Sequence, residues 1–338
     1  MPKIKRTPII TDKKSFNFKP SPNRVIPNDK LSQMIPNLPN AIKVNGLNPI
    51  GEEMYKECMK KDLGFTVLEA STAKHGNIMS EVKLSLNEGY TDTTPLDQFD
   101  KEVLIACMSE QQYGNAATTV DAIFRNITGL NEPSRPSPQM REEILHSIRK
   151  LRHHDIRINM SKICDVRKNY TPSDGPIIES AILPGWVLEK AIINGIEVSD
   201  VIKFDRPSPI FIIAQAKKQL FSYARCMLND GGIVNSKQNI MLKNYIQQRI
   251  EAIKHHPRKT NENGKSFGLY STITFKDLYE HLRVDADTTV TPQTIEKRKQ
   301  SIRQTACKFL YFLQETEVIA GYTIVKEGKK WIAINLTI

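Results

Sequence analysis

The sequence predicts an α+β protein: a disordered N-terminal tail, then two tandem units in which helices are closed by a β-hairpin. Three observations carry that expectation. A capped short helix followed by a capped long helix occurs twice. The second occurrence runs into a hairpin with a glycine turn. Positive charge gathers in the first 45 residues and again in residues 239–338.

The tail comes first. Met1 to about Val44 holds seven prolines, Pro2, Pro8, Pro20, Pro22, Pro27, Pro36 and Pro39, and its apolar residues follow no period. Proline removes a backbone donor and breaks helix and sheet alike. Residues 1–45 therefore read as a basic, Pro-rich tail that is disordered when free yet able to neutralise phosphates.

The first unit is expected over residues 46–230. Phe65 to Ser71 and Ile78 to Leu86 alternate like two antiparallel strands extending its sheet. Thr94-Pro95 offers an N-cap and a first-turn proline to a helix that buries Phe99, Val103, Leu104, Cys107 and Met108. After a break at Gly114-Asn115, Thr119 caps a short helix. Its Val120, Ile123, Phe124 and Ile127 stand at i, i+3, i+4 and i+7, and Gly129 ends it. A Pro-rich loop leads to Ser137-Pro138, which opens a longer helix with the buried stripe Met140, Ile144, Ile148 and Leu151. Strands follow: Ile156 to Met160, Pro176 to Leu183, Trp186 to Ile193 and Ile196 to Phe204. Asn194-Gly195 joins the last pair as a hairpin turn. Pro209 to Lys218 reads as a helix and Leu220 to Leu228 as extended chain. Asn229-Asp230-Gly231-Gly232 to Gln238 reads as a linker.

The second unit is expected over residues 239–338. A helix from Asn239 to His255 buries Leu242, Ile246, Ile250 and Ile253. Thr274 caps a short helix with Phe275, Leu278, Tyr279 and Leu282 on one side. Thr291-Pro292 opens a long helix burying Ile295, Ile302, Ala306, Phe309, Leu310 and Leu313. Ile319 to Val325 and Lys330 to Ile338 form the hairpin around Gly328. From the short helix's cap to the long helix's cap there are 18 residues in the first unit and 17 in the second. Helix, short helix, long helix, hairpin is the order of a winged helix-turn-helix, so two such units in tandem are expected.

The 338 residues carry 48 Lys and Arg against 37 Asp and Glu, a formal charge of +11. Residues 1–45 hold +7, residues 46–238 hold −2 and residues 239–338 hold +6. Two separated basic segments fit a polyanion better than a small acidic metabolite. The five cysteines are scattered and form no CxxC pair, which argues against a structural zinc or a disulfide framework and for reduced thiols in a cytoplasm. No 18-residue apolar run offers a membrane span, and the basic N-terminus lacks the apolar stretch of a secretory signal. Motifs for a phosphate loop, a dinucleotide fold, a zinc protease or a nucleophile elbow are missing. The pairs His153-His154 and His255-His256 are adjacent rather than spaced for one metal. No enzyme activity, catalytic residue, metal or cofactor is therefore expected.

On a helical wheel, Gln293, Lys297, Gln300, Ser301, Gln304 and Lys308 lie opposite the apolar face of the last long helix, flanked by Arg298 and Arg303. Such a helix fits the B-DNA major groove, where Gln, Ser, Lys and Arg read base edges or hold phosphates. Lys326, Lys329 and Lys330 on the hairpin are placed to straddle the flanking backbone. In the first unit Glu142 and Glu143 near the long helix's start repel phosphate, which leaves Arg149, Lys150 and Arg152 at its far end as backbone contacts. This unit is expected to bind DNA more weakly or to serve in dimerisation.

The run Tyr245 to Ile253, then Thr274-Phe275-Lys276-Asp277-Leu278 to Val284, then Lys297-Arg298-Lys299 to Leu313 resembles a known family. It closes on Tyr322-Thr323-Ile324-Val325-Lys326-Glu327-Gly328-Lys329-Lys330 to Ile338. Together these residues look like the second winged helix of iteron-binding plasmid replication initiators of the RepA/RepE type. The likeness covers about 100 residues; the first unit shares only its layout. It implies a non-enzymatic DNA-binding protein of a mobile element, a DNA replication initiator that binds directly repeated double-stranded DNA at an origin. It further implies melting of adjacent A·T-rich duplex, recruitment of host replicative helicase machinery, and exchange between a repressing homodimer and an initiating monomer. The alternative is a tandem winged-helix transcriptional regulator without origin activity.

Overall fold

The computed structural model describes residues 43–47, 49–59, 65–72, 76–86, 94–113, 115, 117–131, 134–159, 177–193, 196–216, 220–255, 259–260, 266–267, 271–285, 290–328 and 330–338. The expected tail up to residue 42, the Asn194-Gly195 turn and Lys329 lie outside them. The chain is α+β, with several small antiparallel sheets. It divides into two compact units: the residues up to Leu220 apart from Ile127–Gly129, and Phe221–Ile338 together with Ile127–Gly129. The division falls before Phe221, whereas the sequence placed the first unit's end at 230.

In the first unit come β1 (Lys43–Leu47), α1 (Pro49–Cys58), β2 (Phe65–Thr72), β3 (Gly76–Leu86) and α2 (Gln98–Gln112). Next are β4 (Ala117–Thr119), α3 (Val120–Thr128), α4 (Pro138–His153), β5 (His154–Asn159) and β6 (Ile177–Ala181). β7 (Gly185–Ile193), β8 (Ile196–Phe204) and α5 (Pro209–Ala216) complete it. Thr119 Oγ1 accepts from Ala122 N at 3.1 Å, and Ser137 caps α4 with Pro138 in its first turn, as the local signals require.

The cap of α2 is a correction. Asp97, not Thr94, caps it through a reciprocal box: Asp97 Oδ1 accepts from Asp100 N at 3.0 Å, and Asp100 Oδ2 accepts from Asp97 N at 2.7 Å. Gln98 through Glu110 are buried on every side, charges included. Each of these charges has a partner: Lys101 meets Glu52 at 2.9 Å and Glu102 at 3.9 Å, Glu110 accepts from Asn115 and Asn126, and Asp100 meets Lys150 at 2.5 Å.

The two early strands pair antiparallel and extend a sheet of the first unit, as expected. β5 and β6 join β2 and β3 in a four-stranded sheet ordered β2-β3-β5-β6. The hairpin β7–β8 instead pairs with the short strand before α3, in the order β4-β8-β7. Two strands are thus inserted between the long helix and its hairpin. Gly185 is required at the hairpin's base, because a Cβ there would sit 2.2 Å from Lys203 O.

The second unit contains β9 (Leu220–Ala224, whose first residue belongs to the first unit), a 3₁₀ turn (Arg225–Leu228) and α6 (Lys237–His255). After β10 (Lys259–Thr260) and β11 (Ser266–Phe267) come β12 (Thr272–Thr274), α7 (Phe275–His281), α8 (Pro292–Glu315), β13 (Gly321–Glu327) and β14 (Lys330–Thr337). Ile240, Leu242, Ile246 and Ile250 of α6 are buried, as are Ile302, Ala306, Phe309, Leu310 and Leu313 of α8 and Ile334 and Leu336 of β14. Asn244 of α6 donates to Ile127 O at 2.9 Å, which ties α3's last turn into this unit. Gly129 (φ +78) follows that turn, and a Cβ on it would lie 2.5 Å from Asn229 N. The expected linker is held at its start: Lys243 Nζ reaches Leu228 O at 2.9 Å and Asp230 at 3.1 Å, both groups nearly inaccessible.

The second unit's sheet runs β12-β14-β13. Its short strand ends on Thr274, which caps α7 by accepting from Asp277 N at 3.0 Å, and it pairs with the second strand of the hairpin. β4, Thr119, α3 and β7–β8 stand in the same relation in the first unit. The repeat seen as caps and stripes is therefore also a repeat of strand order.

Candidate nucleic-acid interface

α8 is a 24-residue helix, about 36 Å long. Thr291 caps it, with Oγ1 accepting from Thr294 N at 3.3 Å, and Pro292 fills its first turn. Its burial is uneven along its length. From Pro292 to Ser301 no side chain is buried; burial begins at Ile302. Nearly three turns are therefore held without a core. Strong helix formers (Glu296, Lys297, Arg298, Lys299, Gln300) and the cap support them locally.

α7 supplies the remaining anchor. Tyr279 Oη accepts from Arg303 Nε at 2.7 Å, and its ring lies 5.3 Å from Lys299 Nζ and 5.9 Å from the Arg303 guanidinium. Arg303 Nη2 donates to Glu296 at 2.9 Å, and Lys299 pairs with Asp285 at 2.9 Å. Burial works against the Arg303 charge, but the bonds to Tyr279 and Glu296 outweigh it and raise its pKa. Burial raises the Tyr279 pKa, and Arg303 pulls it partly back.

The exposed stripe comprises Gln293, Lys297, Gln300, Ser301, Gln304 and Lys308, with Arg298 half-buried on its flank. Arg303 is set apart from this stripe, since its fork is engaged by Tyr279 and Glu296. Beside α8 the hairpin turns at Gly328 (φ +58). Lys326 and Lys330 are exposed there. Lys326 Nζ stands 4.8 Å over the Trp331 ring, which meets Phe275 edge-on at 5.6 Å. A β-bulge between Val325 and Lys326 sharpens the twist of the hairpin end.

The first unit's long helix presents a different surface. Met140, in its first turn, is already buried, so α4 is embedded along its whole length. Arg141 is paired with Asp121 and, at 2.5 Å, with Asp200. Arg149 is exposed. Lys150 is a correction: its side chain is 2 % exposed, and Nζ lies 2.5 Å from Asp100 Oδ2 and 3.4 Å from Pro95 O. A charge so enclosed cannot meet phosphate. Arg152 is half-buried; Nε donates to Gly185 O at 2.8 Å and the guanidinium lies 5.8 Å from the Trp186 ring. Trp186, which the sequence marked only as a strand residue, is 58 % exposed opposite Lys203. Alternation along a strand cannot tell an indole facing solvent from one facing the core. The exposed Trp186, with the Arg152 guanidinium against its ring and Lys203 opposite it, makes a basic, aromatic patch in the first unit, and Arg149 stands one turn before Arg152 on α4.

Among the described residues, no cluster of three or more His, Cys, Asp or Glu comes together in a metal-holding arrangement. Among them, too, no helix is long and apolar enough to cross a membrane.

No family model matches the chain, and no curated protein matches it. Two crystal structures show a likeness. RctB domains 2-3 (RctB-155-483) align with a TM-score of 0.40 and 10% identity, covering 81% of this chain and 92% of that one. A selenomethionine derivative of domain 2 and domain 3 of RctB gives a TM-score of 0.36 and 12% identity, covering 81% and 91%. Likeness at this level carries no argument about activity.

Proposed function

We propose that the chain is a sequence-specific, non-enzymatic protein that binds double-stranded DNA through two winged helix-turn-helix units. The observation that carries this is the first part of α8: ten consecutive residues, 292–301, without a buried side chain, presenting Gln293, Lys297, Gln300 and Ser301 beside a lysine-bearing hairpin. A helix held clear of its own core by a cap and a tyrosine anchor is shaped to enter a major groove. Lys326 and Lys330 then take flanking phosphates, while in the first unit Arg149, Arg152 and Trp186 lie against sugar and phosphate.

The finer proposal is a replication initiator of a plasmid or other mobile element acting at directly repeated sites. The resemblance of the C-terminal residues to iteron-binding initiators supports it. Dimer–monomer exchange and recruitment of host helicase machinery belong to the same proposal. Selection of binding sites from a random duplex pool, followed by footprinting, tests both levels. Direct repeats of about two helical turns, ~20 bp, agree with the initiator. An inverted repeat alone would favour a regulator, and no enriched sequence would end the proposal.

A further inference from the structure

The two α8 cations nearest α7 do not offer themselves to an incoming polyanion. The Arg303 side chain is 19 % exposed and that of Lys299 22 %, whereas their carboxylate partners Glu296 and Asp285 are 62 % and 58 % exposed. A phosphate approaching that flank of α8 meets carboxylate before cation. Glu296 also stands one turn from Gln293 and from Gln300, beside the exposed stripe. A carboxylate is an acceptor with about four lone-pair sites. The bond from Arg303 Nη2 falls on Oε1, which leaves acceptor capacity directed outward.

We infer that Glu296, fixed by Arg303 and Tyr279, is a specificity-determining residue of α8 that accepts the amino group of a cytosine and disfavours non-specific phosphate contact. Carboxylates accept from cytosine N4 in the major groove, and guanine presents only acceptors at the corresponding edge. Arg303 and Tyr279 act as positioning residues, since they hold the carboxylate without touching DNA. This inference rests on the proposed duplex-reading role of α8.

The test compares wild type with Glu296→Gln and Tyr279→Phe, both checked by thermal unfolding. Each is titrated on the duplex selected by the wild type, on a scrambled duplex and on duplexes with each C·G pair inverted, at several salt concentrations. For Glu296→Gln, Arg303 stays on Tyr279 but loses the carboxylate charge opposite it, so its positive charge acts on a nearby phosphate uncompensated. Scrambled DNA then binds more tightly at low salt, and its affinity falls about threefold more between 50 and 200 mM salt. The selected-to-scrambled ratio drops roughly fivefold or more, and inversion of one particular C·G pair stops mattering. Tyr279→Phe moves the ratio in the same direction by less. A purely structural role would weaken selected and scrambled DNA alike. Unchanged ratio and salt dependence in a folded Glu296→Gln protein, or lost discrimination at no C·G pair, overturns the inference. A wild type that prefers no duplex would remove the reading of α8 itself, and this inference with it.

Discussion

Replacing Lys150 with Met separates a core cation from a DNA-binding one. In the native protein its ammonium lies 2.5 Å from Asp100 Oδ2, and the two side chains are 2 % and 0 % exposed. Removing one member of such a pair leaves a buried charge uncompensated, which costs about 3–5 kcal/mol. Asp100 keeps the Asp97 N–H at 2.7 Å, so the lower end of that range, ~3 kcal/mol, is expected. The loss depends on pH. Burial, and then the neighbouring Asp97 carboxylate, already raise the Asp100 pKa, with Lys150 and Ser147 pulling it back. Without Lys150 it rises further. A raised carboxyl contributes its stability below its unfolded value, about 3.9, and loses it as pH climbs through the folded value. The deficit of Lys150→Met relative to wild type is therefore full at neutral pH and shrinks as pH falls toward the ordinary aspartate range. Adding Asp100→Asn should recover much of it at pH 7, because neither charge is then left alone. Urea unfolding of wild type, both single variants and the double variant, at pH 7 and pH 5, provides the measurement. A Lys150→Met protein as stable as wild type but weakened in DNA binding would refute the reasoning and return Lys150 to the surface.

Other outcomes follow from the same structure. Removing residues 1–40 takes away eight Lys and Arg and should leave thermal unfolding nearly unchanged while reducing the salt dependence of DNA binding. A large fall in melting temperature would contradict this. Burial pushes the Cys58 thiol up to about 12 and raises Cys107 further, so native alkylation at pH 8 followed by mass spectrometry should find both unmodified. Trp186→Ala should leave stability within about 0.5 kcal/mol of wild type, as an exposed side chain buries little, and should weaken selected and scrambled duplexes alike. Equal affinity in the variant would remove the first unit's patch from the interface.

Features set by neighbouring residues were legible in the sequence. Thr119, Ser137, Thr274 and Thr291 cap their helices because a cap needs only its own side chain and an N–H two or three residues on. The stripe of α4 followed from helical spacing, as did that of α8 from Ile302 onward, whereas Ile295, expected in the same stripe, is only half-buried. Features set by distant partners were not. β4 and β12 are three residues each and become strands only because β8 and β14 run beside them. β5 was legible as a strand, but nothing local tells that its neighbour is β3, which lies far earlier in the chain. Lys150 falls on a polar helix face by spacing, and only the packing of α2 against α4 encloses it. At the candidate interface the wheel placed the exposed stripe, but not the engagement of Arg303 by Tyr279, which comes from another helix.

The account stands on α8 reading bases while the hairpin lysines hold backbone. Equilibrium titration of Arg298→Ala, Gln304→Ala, Lys326→Ala and Lys330→Ala, on selected and scrambled duplexes across a salt series, tests that division most directly. The helix variants should lose ~1–3 kcal/mol on the selected duplex and much less on the scrambled one. The hairpin variants should weaken both alike and lower the salt slope by about one for each lysine. Helix variants that stay folded and bind the selected duplex as wild type does would contradict the account, and α8 would no longer stand as the reading element.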